Sequence, residues 1–82
     1  MKILYFSWLR EKIGVPYEDV DVRSENVNDL IKELKEIDQK YTIAFEDVKA
    51  IRVAVDQKLV QDLNVSIKNA KEVAFFPPMT GG

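Results

Sequence analysis

One segment of the chain has the periodicity of an amphipathic helix, and it limits what the remaining residues can form. Its apolar residues recur at intervals of three and four, at Val27, Leu30, Ile31, Leu34 and Ile37. The charged residues between them fall on the opposite side of such a helix. Asn26 is a suitable N-cap, and Asp29 places a negative charge in the first turn, where it stabilises the helix dipole. We therefore predict one main helix, whose apolar side must pack against a layer built from the rest of the chain.

The residues before this helix are typical of two β-strands. Residues 2–9 carry aromatic and β-branched types on both alternating sets, which indicates a strand buried on both faces and places Trp8 in the core. Residues 10–14 are expected to form one helical turn or a loop. Residues 17–22 alternate as a half-exposed strand does, so they are predicted to pair with the first strand as a hairpin.

Three further strands are predicted after the helix. Residues 51–55 and 58–60 are separated by Asp56-Gln57, which is expected to form a tight turn. Residues 72–76 form the last strand, and Pro77 ends its hydrogen-bonding ladder because proline has no backbone N–H. This last strand is strongly apolar, which favours a central position beside the first strand.

The order of these elements predicts an α+β domain of the β-grasp (ubiquitin-like) type, a mixed sheet of four or five strands covered by one main helix. Residues 39–49 are ambiguous and are expected to form a fraying helix end and a loop. This stretch carries three apolar residues, Tyr41, Ile43 and Phe45. We predict a β-grasp domain over residues 1–76 and an extended C-terminal tail over residues 77–82.

Composition excludes several classes of function. The 82 residues make one small domain with 12 basic and 14 acidic side chains, so there is no basic surface for nucleic acid or membranes. The sequence has no cysteine and no histidine, which removes the thiolate nucleophile, the usual acid–base group and the common metal ligands. The apolar N-terminus is too short for a transmembrane helix and lacks a signal-peptide pattern, so a cytoplasmic location is expected.

The C-terminal residues point to a tail that enters another protein. Pro77 and Pro78 favour an extended path, and Gly81 and Gly82 have no side chains to obstruct close approach. Residues 77–82 could project about 20 Å and present the carboxylate of Gly82 to a partner's active site. The alternative is an ordinary frayed terminus with no function.

Three more residues are candidates for a partner interface. Phe75 and Phe76 must lie on opposite faces of their strand, so one is expected in the core and the other, preferably Phe76, on the interface. Arg10 is a candidate to pair with a partner carboxylate, although an ordinary solvated charge is an equal alternative. In the tail, Met79 is a candidate adaptable contact and Thr80 lies in the stretch that would be threaded.

The chain resembles the MoaD/ThiS ubiquitin-like sulfur carriers, and within them the branch that serves molybdopterin synthesis. The resemblance rests on size, element order, the ending Val73-Ala74-Phe75-Phe76-Pro77-Pro78-Met79-Thr80-Gly81-Gly82, and two shorter matches: Arg10-Glu11 followed by Gly14, and Ala54-Val55-Asp56-Gln57. The chain departs from the family at Asp56, where asparagine is common, and at Asn69-Ala70-Lys71, where a Gly-Asp type turn is usual.

This resemblance implies a chemistry that the chain performs together with other proteins. An ATP-dependent adenylating enzyme of the MoeB type would join Gly82 to AMP, and a sulfur donor enzyme would convert it to a thiocarboxylate. In the large subunit of molybdopterin synthase, of the MoaE type, that sulfur would be transferred to cyclic pyranopterin monophosphate. The chain would hold no permanent cofactor or metal, and the catalytic groups would belong to the large subunit.

Two other functions share the same chemistry at the terminus. A carrier of the thiamine pathway has the same fold and ending. A ubiquitin-like protein modifier would form an isopeptide bond between Gly82 and a target lysine. A plain interaction module with an inert tail is a further alternative.

Overall fold

The computed structural model describes residues 1–78, and it contains five strands, three α-helices and one 3₁₀ turn. The strands are β1 (Lys2–Tyr5), β2 (Tyr17–Asp19), β3 (Arg52–Val55), β4 (Lys58–Val60) and β5 (Glu72–Phe76). The helices are α1 (Trp8–Ile13), α2 (Val27–Ile37) and α3 (Gln39–Ala44), and the 3₁₀ turn is Val48–Ala50. Met79, Thr80, Gly81 and Gly82, on which much of the predicted tail falls, lie outside the described residues.

The five strands form one mixed sheet in the order β2-β1-β5-β3-β4. β5 lies at the centre, parallel to β1 and antiparallel to β3. Two hairpins supply the outer strands, β2 beside β1 and β4 beside β3. The predicted β-grasp arrangement is therefore confirmed, including the placement of the last strand next to the first.

The core lies between one face of this sheet and the helices. The sheet contributes Ile3, Tyr5, Val53, Val73 and Phe75. The helices contribute Leu9, Ile13, Val27, Leu30, Ile31, Leu34, Tyr41 and Ala44. Val73 and Phe75 point into this core, whereas Ala74 lies on the opposite face and is 8% exposed between β1 and β3.

The main helix forms where its periodicity predicts. Asn26 caps α2 by accepting a hydrogen bond from the backbone N–H of Asp29 at 2.8 Å. Ile37, the last residue of the helix, is 57% exposed, so the apolar stripe ends at Leu34. The segment that precedes α2 is held by Glu33, whose carboxylate accepts hydrogen bonds from Ser24 Oγ at 2.5 Å and from Arg23 N–H at 3.2 Å.

The first strand is shorter than its composition predicts. β1 ends at Tyr5, and residues 8–13 form α1 instead of continuing the strand. Ser7 has φ 57° and ψ −131°, which turns the chain sharply, and Gly14 closes α1 at φ 98° in the left-handed conformation. Trp8 is consequently only half-buried, packed against the edge of the core. The second strand is also shorter, ending at Asp19.

The ambiguous stretch after α2 contains a helix of its own. Asp38 ends α2 in an extended conformation and caps α3 by accepting a hydrogen bond from the backbone N–H of Lys40 at 2.9 Å. Tyr41 and Phe45 are buried, whereas Ile43 is exposed. Sequence periodicity misses this helix because it has only six residues.

The turn between β3 and β4 forms at the predicted dipeptide. Asp56 and Gln57 both have positive φ, 49° and 71°. Two consecutive residues in the left-handed region are the signature of a type I′ turn, whose twist matches that of an antiparallel hairpin.

Candidate functional site

The predicted tail begins where the central strand leaves the sheet. Phe76 is the last residue of β5 and is paired with Arg52, the first residue of β3. Pro77 and Pro78 follow in irregular backbone, and both are half-buried. Any group carried on residues 79–82 is therefore tethered to the middle of the sheet. The division into a domain of residues 1–76 and a tail of residues 77–82 stays a prediction.

The face of the sheet turned away from the helices carries a row of apolar side chains that crosses all five strands. Backbone pairing connects them in the order Tyr17, Leu4, Ala74, Ala54 and Leu59. All five lie outside the core cluster. We call this row, together with Phe6, Phe76 and Arg52, the open face. Tyr17 and Leu59 are 59% and 61% exposed, which is unusual for large side chains in a row of this length.

The two sides of this apolar row differ in chemistry. Towards the start of β1 and β5, Lys2 is paired with Asp19 and with Glu72, and the Lys2 ammonium lies 4.9 Å from the centre of the Tyr17 ring. Towards the tail, Phe6 follows β1 and its backbone N–H donates to the carbonyl of Phe75 at 3.1 Å, which brings it close to Phe76. The apolar surface is therefore continuous with the base of the tail, while the opposite side is charged.

The two adjacent phenylalanines have separate environments. Phe75 has no exposed surface, stacks with Tyr5 at a centroid distance of 6.3 Å, and meets Phe45 edge-on at 4.9 Å. Phe76 is half-buried on the open face. The structure thus places Phe75 in the core and leaves Phe76, the preferred interface candidate, accessible.

A buried polar cluster supports the strand beside β5. The hydroxyls of Tyr5 and Tyr41 both donate to Oε2 of Glu18, at 2.7 and 2.5 Å. Burial, followed by the neighbouring Glu18 carboxylate, raises the pKa of both tyrosines well above their ordinary value. Both phenols therefore stay protonated and act as donors, joining β1, β2 and α3. This cluster is structural, since its two tyrosines are buried.

The start of β5 is fixed by a side chain from the hairpin turn. Oδ1 of Asp56 accepts hydrogen bonds from the backbone N–H groups of Lys71 and Glu72, at 2.8 and 3.0 Å. The hydrogen bond from Glu72 has the larger effect and that from Lys71 the smaller, and both lower the pKa of the Asp56 carboxyl. Asp56 therefore aligns the central strand at the end opposite the tail.

Arg10 lies exposed on α1, the helix that follows the carboxyl end of β1. Because β1 and β5 run parallel, this helix starts at the same end of the sheet as the tail. The interface role of Arg10 stays a prediction.

Sequence reasoning missed most of the open face. Phe6 and Leu59 are 45% and 61% exposed, and neither is among the interface residues that the sequence predicts. The alternation of Leu4 and Phe6 against Ile3 and Tyr5 was a usable signal, because alternate side chains of a strand point to opposite faces.

Neither a metal site nor a membrane span is present in the part of the chain that the structure describes. Residues 1–78 contain no group of three or more acidic side chains arranged to hold a metal ion. No helix among these residues is long and apolar enough to cross a bilayer.

Comparisons with known proteins identify the relatives of this chain. Two curated proteins, each named molybdopterin synthase sulfur carrier subunit, are 34% identical over 82 residues, 100% of this chain and 99% of each relative. They come from Haemophilus influenzae and Escherichia coli. The crystal structure of SAMP1 from Haloferax volcanii superposes with a TM-score of 0.73 at 25% identity, covering 100% of this chain and 98% of that one.

A family model covers almost the whole sequence, from the first strand to the last glycine. The model is that of the ThiS family, and it matches residues 3–82. Together with the full-length relatives, this match shows that the chain belongs to the ThiS family.

Proposed function

We propose that this chain is the sulfur-carrier subunit of a molybdopterin synthase and that its reacting group is the carboxylate of Gly82. The observation that carries the proposal is the full-length match to two relatives that bear this name. The fold is consistent with it, since β5 leads directly from the centre of the sheet into Pro77 and the remaining tail residues.

The chemistry required of Gly82 follows from the properties of a carboxylate. A carboxylate resists nucleophilic attack, so an activating enzyme joins it to AMP at the expense of ATP and releases pyrophosphate. A persulfide sulfur then attacks the carbonyl and expels AMP. This forms a C–S bond and gives an acyl disulfide. A thiol then cleaves the S–S bond that came from the persulfide, which leaves the thiocarboxylate and a disulfide between the donor and that thiol. This chain has no cysteine, so any sulfur that it carries for transfer must be covalently bound at its C-terminus.

The body of the domain serves to position this sulfur. The synthase subunit named in the relatives implies a large subunit, and the reaction there transfers sulfur to cyclic pyranopterin monophosphate. The open face gives a partner an apolar surface that continues to the base of the tail, with Phe76 at the junction. Docking on that face fixes where the tail starts and so reduces the entropic barrier to reaction at its tip.

The test is an intact-mass measurement after incubation with ATP, the activating enzyme and a sulfur donor. Replacement of one oxygen of Gly82 by sulfur raises the mass by about 16 Da. A chain truncated after Thr80 is the matched control and keeps its original mass. An unshifted full-length chain, with an activating enzyme that is competent on another carrier, contradicts the proposal.

A second candidate function is protein modification, favoured by the structural likeness to a small archaeal modifier protein. In that case the activated Gly82 carbonyl is attacked by a lysine amine and AMP leaves, which forms an isopeptide bond. Mass spectrometry of proteins from the source cell distinguishes the two, because only the modifier leaves its C-terminal residues on target lysines. The thiamine-pathway carrier is separated by complementation of strains that lack either pathway.

A further inference from the structure

A groove of about 470 Å³ lies at the end of the β3–β4 hairpin that is farther from its turn. Its walls are mostly aliphatic, formed by side chains that include Val48, Ile51, Val60 and Leu63. A concave surface of this size with aliphatic walls is suited to holding apolar side chains of another molecule.

The charged groups that line this groove are both cationic. Lys49 and Arg52 are exposed, and Gln61 is the third polar residue of the lining. Nη1 of Arg52 donates to the backbone carbonyl of Lys49 at 3.1 Å, which holds the guanidinium beside that residue. Asp47 and Asp62 are close in sequence but do not line the groove, and the Asp62 carboxylate accepts the backbone N–H of Asn64 at 2.9 Å. The groove therefore favours an anionic group next to apolar ones.

One wall of the groove is the open edge of the sheet. β4 is the last strand in the order, with β3 on one side only. Lys58 follows the two-residue turn and forms a hydrogen-bonded pair with Val55, so the next pair, Leu59 with Ala54, is the non-hydrogen-bonded one. The backbone N–H and C=O of Leu59 consequently point away from β3, where an added extended segment can pair with them.

The groove is continuous with the open face. Arg52 and Leu59 belong to both surfaces, and Arg52 is paired with Phe76 at the base of the tail. A protein that docks on the open face and takes up the tail therefore reaches the mouth of the groove. The aliphatic walls suit a lasting association between subunits better than a brief encounter.

We propose that this groove receives an extended segment of the synthase large subunit in which an acidic residue lies next to aliphatic ones. The inference rests on the proposed function and adds a second contact to it. The carboxylate pairs with Arg52 and Lys49, the aliphatic side chains fill the groove, and the segment's backbone pairs with Leu59.

The first test measures the affinity of the carrier for its large subunit by isothermal titration calorimetry. Reversing both charges, with Lys49→Glu and Arg52→Glu, weakens binding by about tenfold or more, because the partner's carboxylate then faces two like charges. The matched control is Lys32→Glu with Lys68→Glu, the same change in net charge at two exposed positions outside both surfaces. It leaves the affinity unchanged within about twofold, the range typical of surface substitutions. Thermal unfolding of all three chains shows whether the fold is intact.

The second test identifies what occupies the groove. A photo-crosslinking residue at position 49, in the assembled complex, captures a peptide of the large subunit that contains aspartate or glutamate beside aliphatic residues. Equal affinity of the Lys49/Arg52 variant and the wild type, or a captured peptide without an acidic residue, overturns the groove proposal. If the wild-type chain itself fails to bind the large subunit, the proposed function fails, so the two failures are distinguishable.

Discussion

Phe75 and Phe76 are neighbours in the chain, yet they lie on opposite faces of the sheet. Phe75 is fully buried and contacts Tyr5 and Phe45, while Phe76 is half-buried on the open face at the base of the tail. The two residues have the same side chain, so they form a matched pair for separating stability from association.

Truncation of the two side chains is expected to have different effects. Phe75→Ala lowers the free energy of unfolding by about 3–5 kcal/mol, because it removes a ring from the core and leaves a cavity. Phe76→Ala has a much smaller effect on unfolding but weakens binding to the large subunit. Urea unfolding and calorimetry measure the two quantities. A Phe76→Ala chain that binds as tightly as the wild type would remove this residue from the interface.

For individual residues, the sequence predicts burial best where successive side chains of a strand clearly alternate between its two faces. The faces of Phe75 and Phe76 followed from the period of a strand. Phe6 and Leu59 were missed because exposure of a large apolar side chain depends on what the rest of the chain covers. The apolar pattern predicts Trp8 in a buried strand, but the positive φ of Ser7 turns the chain before it. A non-glycine residue in that conformation leaves no simple sequence signal.

At the level of elements, Asp56 links the β3–β4 turn to the start of β5. Its carboxylate accepts two backbone N–H groups, and the folded-state pKa is lowered as a result. A carboxyl whose pKa is lower in the folded than in the unfolded state stabilises the fold above its unfolded pKa. That stabilisation is lost as the pH falls through the folded value. The pKa of the Glu33 carboxyl is also lowered, chiefly by the hydrogen bond that it accepts from Ser24, so Glu33 affects the pH dependence of stability in the same direction.

The pH dependence of stability is therefore predicted to contain a term from Asp56. As the pH falls below the ordinary range of carboxyl groups, about 4, the free energy of unfolding of the wild type decreases. Asp56→Asn cannot titrate, so its decrease over the same window is shallower. Asp21→Asn is the control, because the contacts described for residues 1–78 include no hydrogen bond to the Asp21 side chain. Urea unfolding at a series of pH values gives both slopes, and parallel curves for Asp56→Asn and wild type would contradict the assignment.

The helices and strands that are long, or that are bounded by a clear turn or proline, could be predicted from the sequence, and the short helices could not. α2 has eleven residues and a clear stripe, and β4 and β5 are bounded by a turn and a proline, so all three were located correctly. α1 and α3 have six residues each, too few for a helical period to be distinguished from a strand end or a loop. Their positions are fixed by packing of α1 against α3 and β1 and of α3 against α2, which a local pattern does not contain.

For the whole molecule, the element order together with the apolar last strand favours a β-grasp sheet, but it does not by itself prove which strands pair. An apolar last strand is best buried in the middle of the sheet, and the observed order has it there, between β1 and β3. The groove beside β4 was not predictable, since its walls come from the 3₁₀ turn, β3, β4 and the loop after β4. Only the folded chain brings these segments together.

The two ends of the chain are predicted to respond differently to extension. One residue added after Gly82 abolishes thiocarboxylation, because it converts the Gly82 carboxylate into an amide. The same residue added before Met1 has little effect on activation. Met1 precedes β1, which runs parallel to β5, so it lies at the end of the sheet away from the tail. Intact mass after incubation with the activating enzyme compares the two chains.

Equal thermal unfolding of both extended chains is expected, apart from a small cost at the N-terminus. The Met1 ammonium is 3.3 Å from Asp19 in an exposed ion pair, and such pairs contribute about 1 kcal/mol or less. A normal increase in mass for the chain extended after Gly82 would argue against the carboxylate as the reacting group.

The central position of β5 has a mechanical consequence. When a partner draws the tail into a channel, the pull acts along a strand that is hydrogen-bonded to β1 on one side and β3 on the other. The applied force is therefore distributed over the backbone hydrogen bonds to β1 and those to β3. A force applied at Phe76 is opposed by two sets of backbone hydrogen bonds, whereas a force on either edge strand is opposed by one.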